Sequence, residues 1–386
     1  MKIQSIETIP VRLPTRRVHQ WANLKTPIGV YLLVKLTTDD GLTGLGEAPA
    51  LKDWGGDHMR YYGETPASVA GVIRDILAPS IEGEDPRRIE WIHTLMDQAV
   101  KGYPYSKAAI DMALYDVVGK AAGVPAYQLL GGLYRESVPI SHSIGLMDMD
   151  EAVAEVRRVQ AEGVRTIKLK GGVEPKRDVE LLRRVREALG PDMNLTVDAN
   201  NGYRSAKEAV RTTRAMEPYN ILYMEQPVEG LDAMAEVTRR VDTPIMADES
   251  AWTTWDILEI IEKKAADIIS IYSTKPGGLL KAKKVAAIAE AAGFPCNVNG
   301  SVEMGVGNAA NVHLAASTAA ANLACVIPVT TPDAEATGRI AGIYYKDDIV
   351  AEPFRFADGA VKVPQGPGLG IELDEEKVER YRTDKG

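Results

Sequence analysis

The sequence predicts an α/β protein: a modified TIM (β/α) barrel joined to an α+β unit that the N-terminal part builds and the C-terminal tail rejoins. Three features predict it. The first 132 or so residues group strands before helices. From Val138, short β-branched runs alternate with helical segments, which implies parallel strands and crossover helices. Polar residues then recur at the ends of those runs, about one βα unit apart. A chain of 386 residues is long for one ordinary domain and suits a barrel with a smaller partner.

In the first part (1–132), Val30 to Ala50 reads as a hairpin: an alternating strand, an Asp-Asp-Gly turn and a second strand marked by glycines. Helical patterns follow from Pro66 to Ala78 and from Lys107 to Leu130. In the second part (133–340) the strand candidates are PISHSIG, TIKLK, LTVDAN, ILYMEQP, PIMADES, DIISIYST, CNVNGSVE and LACVIP, and the eighth unit looks short or irregular. Ser205 with Glu208 fits a capping box, and Gly163 and Gly190 follow helical patterns as C-terminal caps. In the third part (341–386), Gly366, Gly368 and Gly370 form a turn before a strand. No helix follows directly to aim its N-terminus at a phosphate, as a nucleotide loop requires.

The 45% hydrophobic and 26% charged content is that of a soluble globular chain. No apolar run approaches the roughly 18 residues that cross a bilayer, and no secretory signal is evident, so no membrane partner and a cytoplasmic location are expected. A net charge of -9 argues against nucleic acid as a partner. Cys296 and Cys325 are too few for a disulfide framework or a cysteine zinc site and read as buried filler.

Strand side chains alternate, so in Ile167-Lys168-Leu169-Lys170 both lysines point one way and both apolar residues the other. The outward face of a barrel strand packs on helices, which turns the lysines inward, at the C-terminal mouth. An exposed strand edge with solvated lysines is the plainer alternative. Asp198 and Asn200 repeat the pattern, Glu225 ends the next strand, Asp248-Glu249 the next, Lys275 a sixth and Glu303 a seventh. The steps from Lys170 through Asp198, Glu225, Asp248 and Lys275 to Glu303 are 28, 27, 23, 27 and 28 positions, so these groups should share one ring. Buried charges must be paired or bind a metal. Three carboxylates on consecutive strands favour a hard cation, Mg²⁺ or Mn²⁺, over structural salt bridges.

The ordered set K-x-K, D-x-N, E-Q-P, D-E-S, K-P-G-G and Glu303 resembles the enolase superfamily, and within it the muconate lactonizing subgroup of the mandelate racemase/muconate lactonizing enzyme family. A second signature agrees: Ala109-Ile110-Asp111-Met112-Ala113-Leu114-Tyr115-Asp116, then Gly119-Lys120, Gly123-Val124-Pro125 and Leu129-Leu130-Gly131-Gly132. The likeness spans nearly the whole chain. It implies that Asp198, Glu225 and Asp248 bind Mg²⁺, which holds a substrate carboxylate and stabilises the enediolate formed when the α-proton leaves. Lys170 and Lys275 would face opposite sides of that carbon, with Lys168 a neighbouring cation that helps one amine lose its proton. Asn200 and Glu249 would support metal and lysines, and Glu303 would lie near the substrate carboxylate. The N-terminal part would cap the barrel, and relatives of this kind are commonly homo-oligomers.

The mandelate racemase subgroup uses a histidine late in the barrel. None of the five here ends the sixth or seventh strand, and His313 reads as structural. Dipeptide epimerases carry an Asp-x-Asp pair where this chain has Val329 to Asp333. Two loops are candidates for substrate choice. Residues 16–27 contain His19 and Trp21, and residues 51–64 contain Trp54, Tyr61 and Tyr62, which either wall a pocket or pack a lid on the barrel. Trp252 and Trp255, after the third carboxylate, either reach the pocket or cover a helix. The resemblance implies proton abstraction beside a small carboxylate, with cycloisomerisation or racemisation/epimerisation ahead of dehydration. A Schiff-base aldolase with Lys170 as nucleophile, or a silent binding protein, are the alternatives from other classes. The aldolase would not need three carboxylates, and a silent lineage should have lost a lysine or a ligand.

Overall fold

The structure is a computed structural model and describes residues 1–22, 28–300, 302–328 and 338–384. Strands β1 (Ile3–Arg12), β2 (Val30–Thr38) and β3 (Thr43–Ala48) form an antiparallel sheet in that order. The hairpin is β2–β3. Strand β1, which the sequence reading did not pick out, is the edge strand of this sheet, beside β2. Its Pro10, opposite Leu32, is tolerated on an edge strand. The helix Pro104–Ala122 lies across β3 so closely that a Cβ on Gly46 would sit 1.8 Å from the Ala109 carbonyl oxygen. Only glycine allows that approach. The predicted helix at 107–130 ends early because Gly123, at φ 68°, caps it, and a separate turn covers Ala126–Leu129. The helix predicted to stop at Ala78 runs to Ile81 through a π-helical turn at Ile73–Leu77.

After β4 (Ser137–Pro139) come seven parallel strands. They are β5 (Ser141–Ile144), β6 (Thr166–Lys170), β7 (Asn194–Asp198), β8 (Tyr223–Glu225), β9 (Ile245–Ala247), β10 (Ile268–Ile271) and β11 (Cys296–Val298), neighbours in chain order. Among the described residues the eighth position is filled by Cys325 and Val326 alone. They bridge Ile140 and Asn299 and so link the two ends of the sheet. This is the short eighth unit expected from LACVIP. Helices between strands pack outside, their apolar faces meeting Ile167, Leu169, Leu195 and Val197 in one core. Three of these helices begin on their own N-caps, Asp148, Ser205 and Thr253. Only half of the capping box predicted at Ser205 forms. Ser205 accepts from Glu208 N, while the Glu208 carboxylate takes Arg204 N instead.

The tail touches both ends of this architecture. Strands β12 (Phe356–Ala357) and β13 (Ala360–Lys362) extend β4 into a small sheet. The helix Glu375–Tyr381 then runs beside β1, where Thr383 N donates to Pro10 O. In place of the strand expected after Gly370, only a single bridge forms, at Leu373 to Val350.

Candidate active site

Alternation on β6 turns Lys168 into the barrel, where its Nζ lies 2.9 Å from Asp198 Oδ2 and 2.7 Å from Glu225 Oε1. Lys170, one step nearer the mouth, reaches Asp198 Oδ2 at 2.6 Å and Asn200 Oδ1 at 2.9 Å. Across the barrel, just beyond β10, Lys275 donates to the Asp248 carboxylate and, at 2.7 Å, to its backbone oxygen. One oxygen from each of Asp198, Glu225 and Asp248 lies within 4.8 Å of the others, and all three residues are buried. Among the described residues none donates a hydrogen bond to Glu225 Oε2.

Burial pushes carboxyl groups up, but Lys168 and Lys170 outweigh it at Asp198 and hold it at about 2. Burial and repulsion from Asp198 drive Glu225 well above the carboxylate range. Asp248, despite burial, is held down by Lys275. Burial lowers Lys275 itself, whereas Asp198 and Glu225 overcome burial at Lys168 and raise it. Glu249, linked to Asn200 Nδ2 at 2.9 Å, is pushed to about 8 by burial and then by Asp248. Three buried carboxylates packed this densely, one of them with an oxygen that no donor among the described residues satisfies, have the chemistry of a hard-cation site.

Sequence comparison identifies the family. Residues 5–131 match the model of the mandelate racemase/muconate lactonizing enzyme N-terminal domain, and residues 151–377 match the enolase C-terminal domain-like model. The chain belongs to the mandelate racemase/muconate lactonizing enzyme family, in the enolase superfamily. It is 33% identical over 381 residues to N-succinyl-L-Arg/Lys racemase of Bacillus cereus, covering 98% of this chain and 97% of that one. To muconate cycloisomerase 1 of Rhodococcus opacus it is 32% identical over 387 residues, covering 99% and 98%. The crystal structure of 2-chloromuconate cycloisomerase from Rhodococcus opacus 1CP superposes with a TM-score of 0.90 at 30% identity, each chain wholly covered. Relatives of this enzyme thus include cycloisomerases and racemases.

In this family member a narrow cleft opens above the triad, walled by His19, Trp21, Leu51, Trp54, Tyr272 and Tyr344 among others. Trp21 lies 5.4 Å from Lys170 Nζ, and Trp54 lies 5.3 Å from Lys275 Nζ. Each lysine thus has an aromatic face over it. His19 is buried against Tyr344, and burial, then Arg17, lowers its pKa well below the usual value, leaving the ring neutral. The loop candidates therefore divide. His19, Trp21 and Trp54 reach the cleft. Tyr61 does not: it stacks on Trp252 at 4.7 Å and donates to Asp256, packing the loop onto the barrel. Tyr62 is 83% exposed, Trp252 is buried beneath Trp54 and Trp255 is 74% exposed.

Glu303 stands off regular strand geometry. The chain turns at Val302, φ 63°, and the Glu303 side chain is buried against Gly300, which lines the cleft, and Gly307. His313 Nε2 donates to the Leu369 carbonyl oxygen, 3.0 Å away, in the core, and both cysteines are buried and free. Val329 to Asp333, and residues 23–27 of the first loop, lie outside the described residues. Among the described residues no helix is long and apolar enough to cross a membrane. Sequence reasoning missed Ser143, Tyr272 and Asn299. Asn299 holds Glu225 Oε1 at 3.3 Å, and Tyr272 holds Asp248 Oδ2 at 3.0 Å. The alternation in Asn297-Val298-Asn299, the same as in Asp198-Ala199-Asn200, was the available signal for the first.

Proposed function

We propose that this enzyme moves a proton at the carbon α to a carboxylate, racemising or epimerising a small N-acylated amino acid, with Mg²⁺ on Asp198, Glu225 and Asp248. One observation supports two-sided chemistry above the others. Lys170 meets the triad at Asp198 and Lys275 meets it at Asp248, so two amines flank one reacting position from opposite sides. One amine takes the α-proton and the other returns a proton to the opposite face. Mg²⁺, or Mn²⁺ in its place, would supply the positive charge that stabilises the enediolate and favours neutral amines. Asn200, tied to Glu249, holds Lys170 in line, and Lys168 helps keep Asp198 ionised and stands beside Glu225. Trp21 and Trp54 exclude water from the two amines. In this reading residues 1–132 and the tail 341–386 cap the barrel of 133–340, and His19, Trp21 and Trp54 select the substrate.

The similarity to a racemase acting on N-succinylated Arg and Lys supports the acylated substrate class. The test is α-proton exchange in deuterated water, followed by proton NMR, on both enantiomers of a set of N-succinyl amino acids and dipeptides, with Mg²⁺ or with EDTA. Exchange of both enantiomers that EDTA abolishes is the expected result. Exchange indifferent to EDTA, or none with any acid, overturns the reading. Cycloisomerisation of an unsaturated dicarboxylate is the second reading, supported by the similarity to muconate cycloisomerase. Lactone formation from cis,cis-muconate in the same screen would favour it.

A further inference from the structure

We infer that Asp111, in the helix Pro104–Ala122, is a positioning residue for Lys275: the N-terminal unit, not the barrel, fixes where this amine stands. The inference rests on the proposed two-lysine chemistry. Lys275 belongs to no strand. It stands four residues past the end of β10 and opens the Lys275-Pro276-Gly277-Gly278 turn, which leads straight into the helix Leu279–Ala291. Its backbone position depends on what grips that turn.

From the barrel side the turn is closed by Gly277 N to Thr274 O at 3.0 Å and Gly278 N to Ser273 O at 2.8 Å. From the other side it is gripped by Asp111. Oδ1 of Asp111 accepts Leu279 N at 2.5 Å, and Oδ2 is held by His93 Nε2 at 2.7 Å. The helix needs such an acceptor, because the first N–H groups of any helix lack a partner within it. Three other barrel helices carry their own caps, Asp148, Ser205 and Thr253. Here the N-cap is Gly278, which has no side chain, and the acceptor comes from 168 positions earlier in the chain. Gly278 has φ 131°, and a Cβ there would lie 2.3 Å from the Asp111 carboxyl carbon, so carboxylate and turn are fitted with no slack. Asp111 and His93 are both buried. Around them Asp97 pairs with Lys281 at 2.7 Å, and Glu90 pairs with Lys284, so two helices of the N-terminal unit hold the helix behind Lys275. Among the described residues Lys170 has no such tether from the N-terminal unit: the carboxylate on its turn, Asp178 to Gly172 N at 2.8 Å, comes from the barrel's own next helix. Lys170 ends β6 inside the sheet, in register with Asp198.

The asymmetry gives a readout that a general loss of structure would not produce. Lys170→Ala and Lys275→Ala first assign which enantiomer of the exchanging N-succinyl amino acid each amine serves. Asp111→Ala is then expected to slow exchange of the Lys275 enantiomer by about 10²-fold, the scale of an ångström of misplacement, while the Lys170 enantiomer changes by less than about threefold. Asp111→Asn keeps an oxygen for Leu279 N and should restore most of the lost rate. Asp111→Ser, too short to reach Leu279 N, replaces the alanine variant if that one does not fold, and should show the same one-sided loss. Equal loss for both enantiomers, loss on the Lys170 side, or a serine variant with wild-type exchange overturns the inference and leaves the two-lysine reading intact. No exchange by the wild-type enzyme overturns both.

Discussion

Replacing Glu225 by glutamine separates two consequences of packing three acids together. Oxygens of Glu225, Asp198 and Asp248 lie within 4.8 Å of one another. At an effective dielectric of about 20, two like charges at that separation repel by about 3.5 kcal/mol, or about 7 kcal/mol for the two pairs that Glu225 enters. Lys168 Nζ, 2.7 Å from Glu225 Oε1, offsets roughly 6 kcal/mol of this. Glutamine keeps an oxygen for Lys168 and Asn299 and carries no buried charge. Without metal, Glu225→Gln should therefore be more stable than the wild type, by about 1 kcal/mol. Mg²⁺ should reverse the order. At a hundred times its dissociation constant a cation adds about 2.7 kcal/mol to the wild type, and it should add little to a variant lacking the third anionic ligand. Urea unfolding at neutral pH, in EDTA and in excess Mg²⁺, measures both. A variant that is weaker in EDTA yet keeps the full Mg²⁺ increment refutes the assignment of Glu225 as a ligand held at electrostatic cost.

Further expectations follow from single contacts. Trp54→Ala removes the ring over Lys275 and its packing on Trp252 and Tyr272, and should raise KM about tenfold in steady-state assays. Burial opposes ionisation of Glu155, but the His142 hydrogen bond and Arg16 outweigh it and lower the carboxyl from 4.5 to about 2. The depressed value means stability that is present above about 4.5 and lost as pH falls towards 2, roughly 3 kcal/mol in all. Glu155→Gln should therefore cost that amount at neutral pH and almost nothing in strong acid, as urea midpoints at the two pH values will tell. Gly46→Ala drives a methyl to 1.8 Å from the Ala109 carbonyl and should destabilise the N-terminal unit by about 3 kcal/mol, seen as a lowered Tm.

The parts of the site legible in the sequence are those fixed by strand periodicity. Lys168, Lys170 and Asp198 sit on regular β6 and β7, so alternation alone orients them. Glu303 follows an irregular turn at Val302, where no period holds to orient it. Loop residues were recognisable as candidates and no more, since Trp54 and Tyr61, seven positions apart, are separated only by how the loop folds onto Trp252. Strand β1 was hidden by its edge position, which leaves much of its length polar and half-exposed. Asp111 was visible within a recognised signature, but its partner Leu279 is so remote in the chain that no local rule connects them.

The two-residue eighth position has a consequence for how the molecule comes apart. Where β6 and β7 are joined along five residue pairs and the far-wall pairs β8–β9 and β9–β10 along two each, among the described residues Cys325 and Val326 stitch the ring between Asn299 and Ile140 by a single bridge on each side. A hoop with one thin weld parts at the weld. Amide hydrogens of Ser141, Gly300 and Cys325 should exchange with solvent well before those of Leu169 and Val197, and the cylinder should unroll from that line while its far wall is still intact.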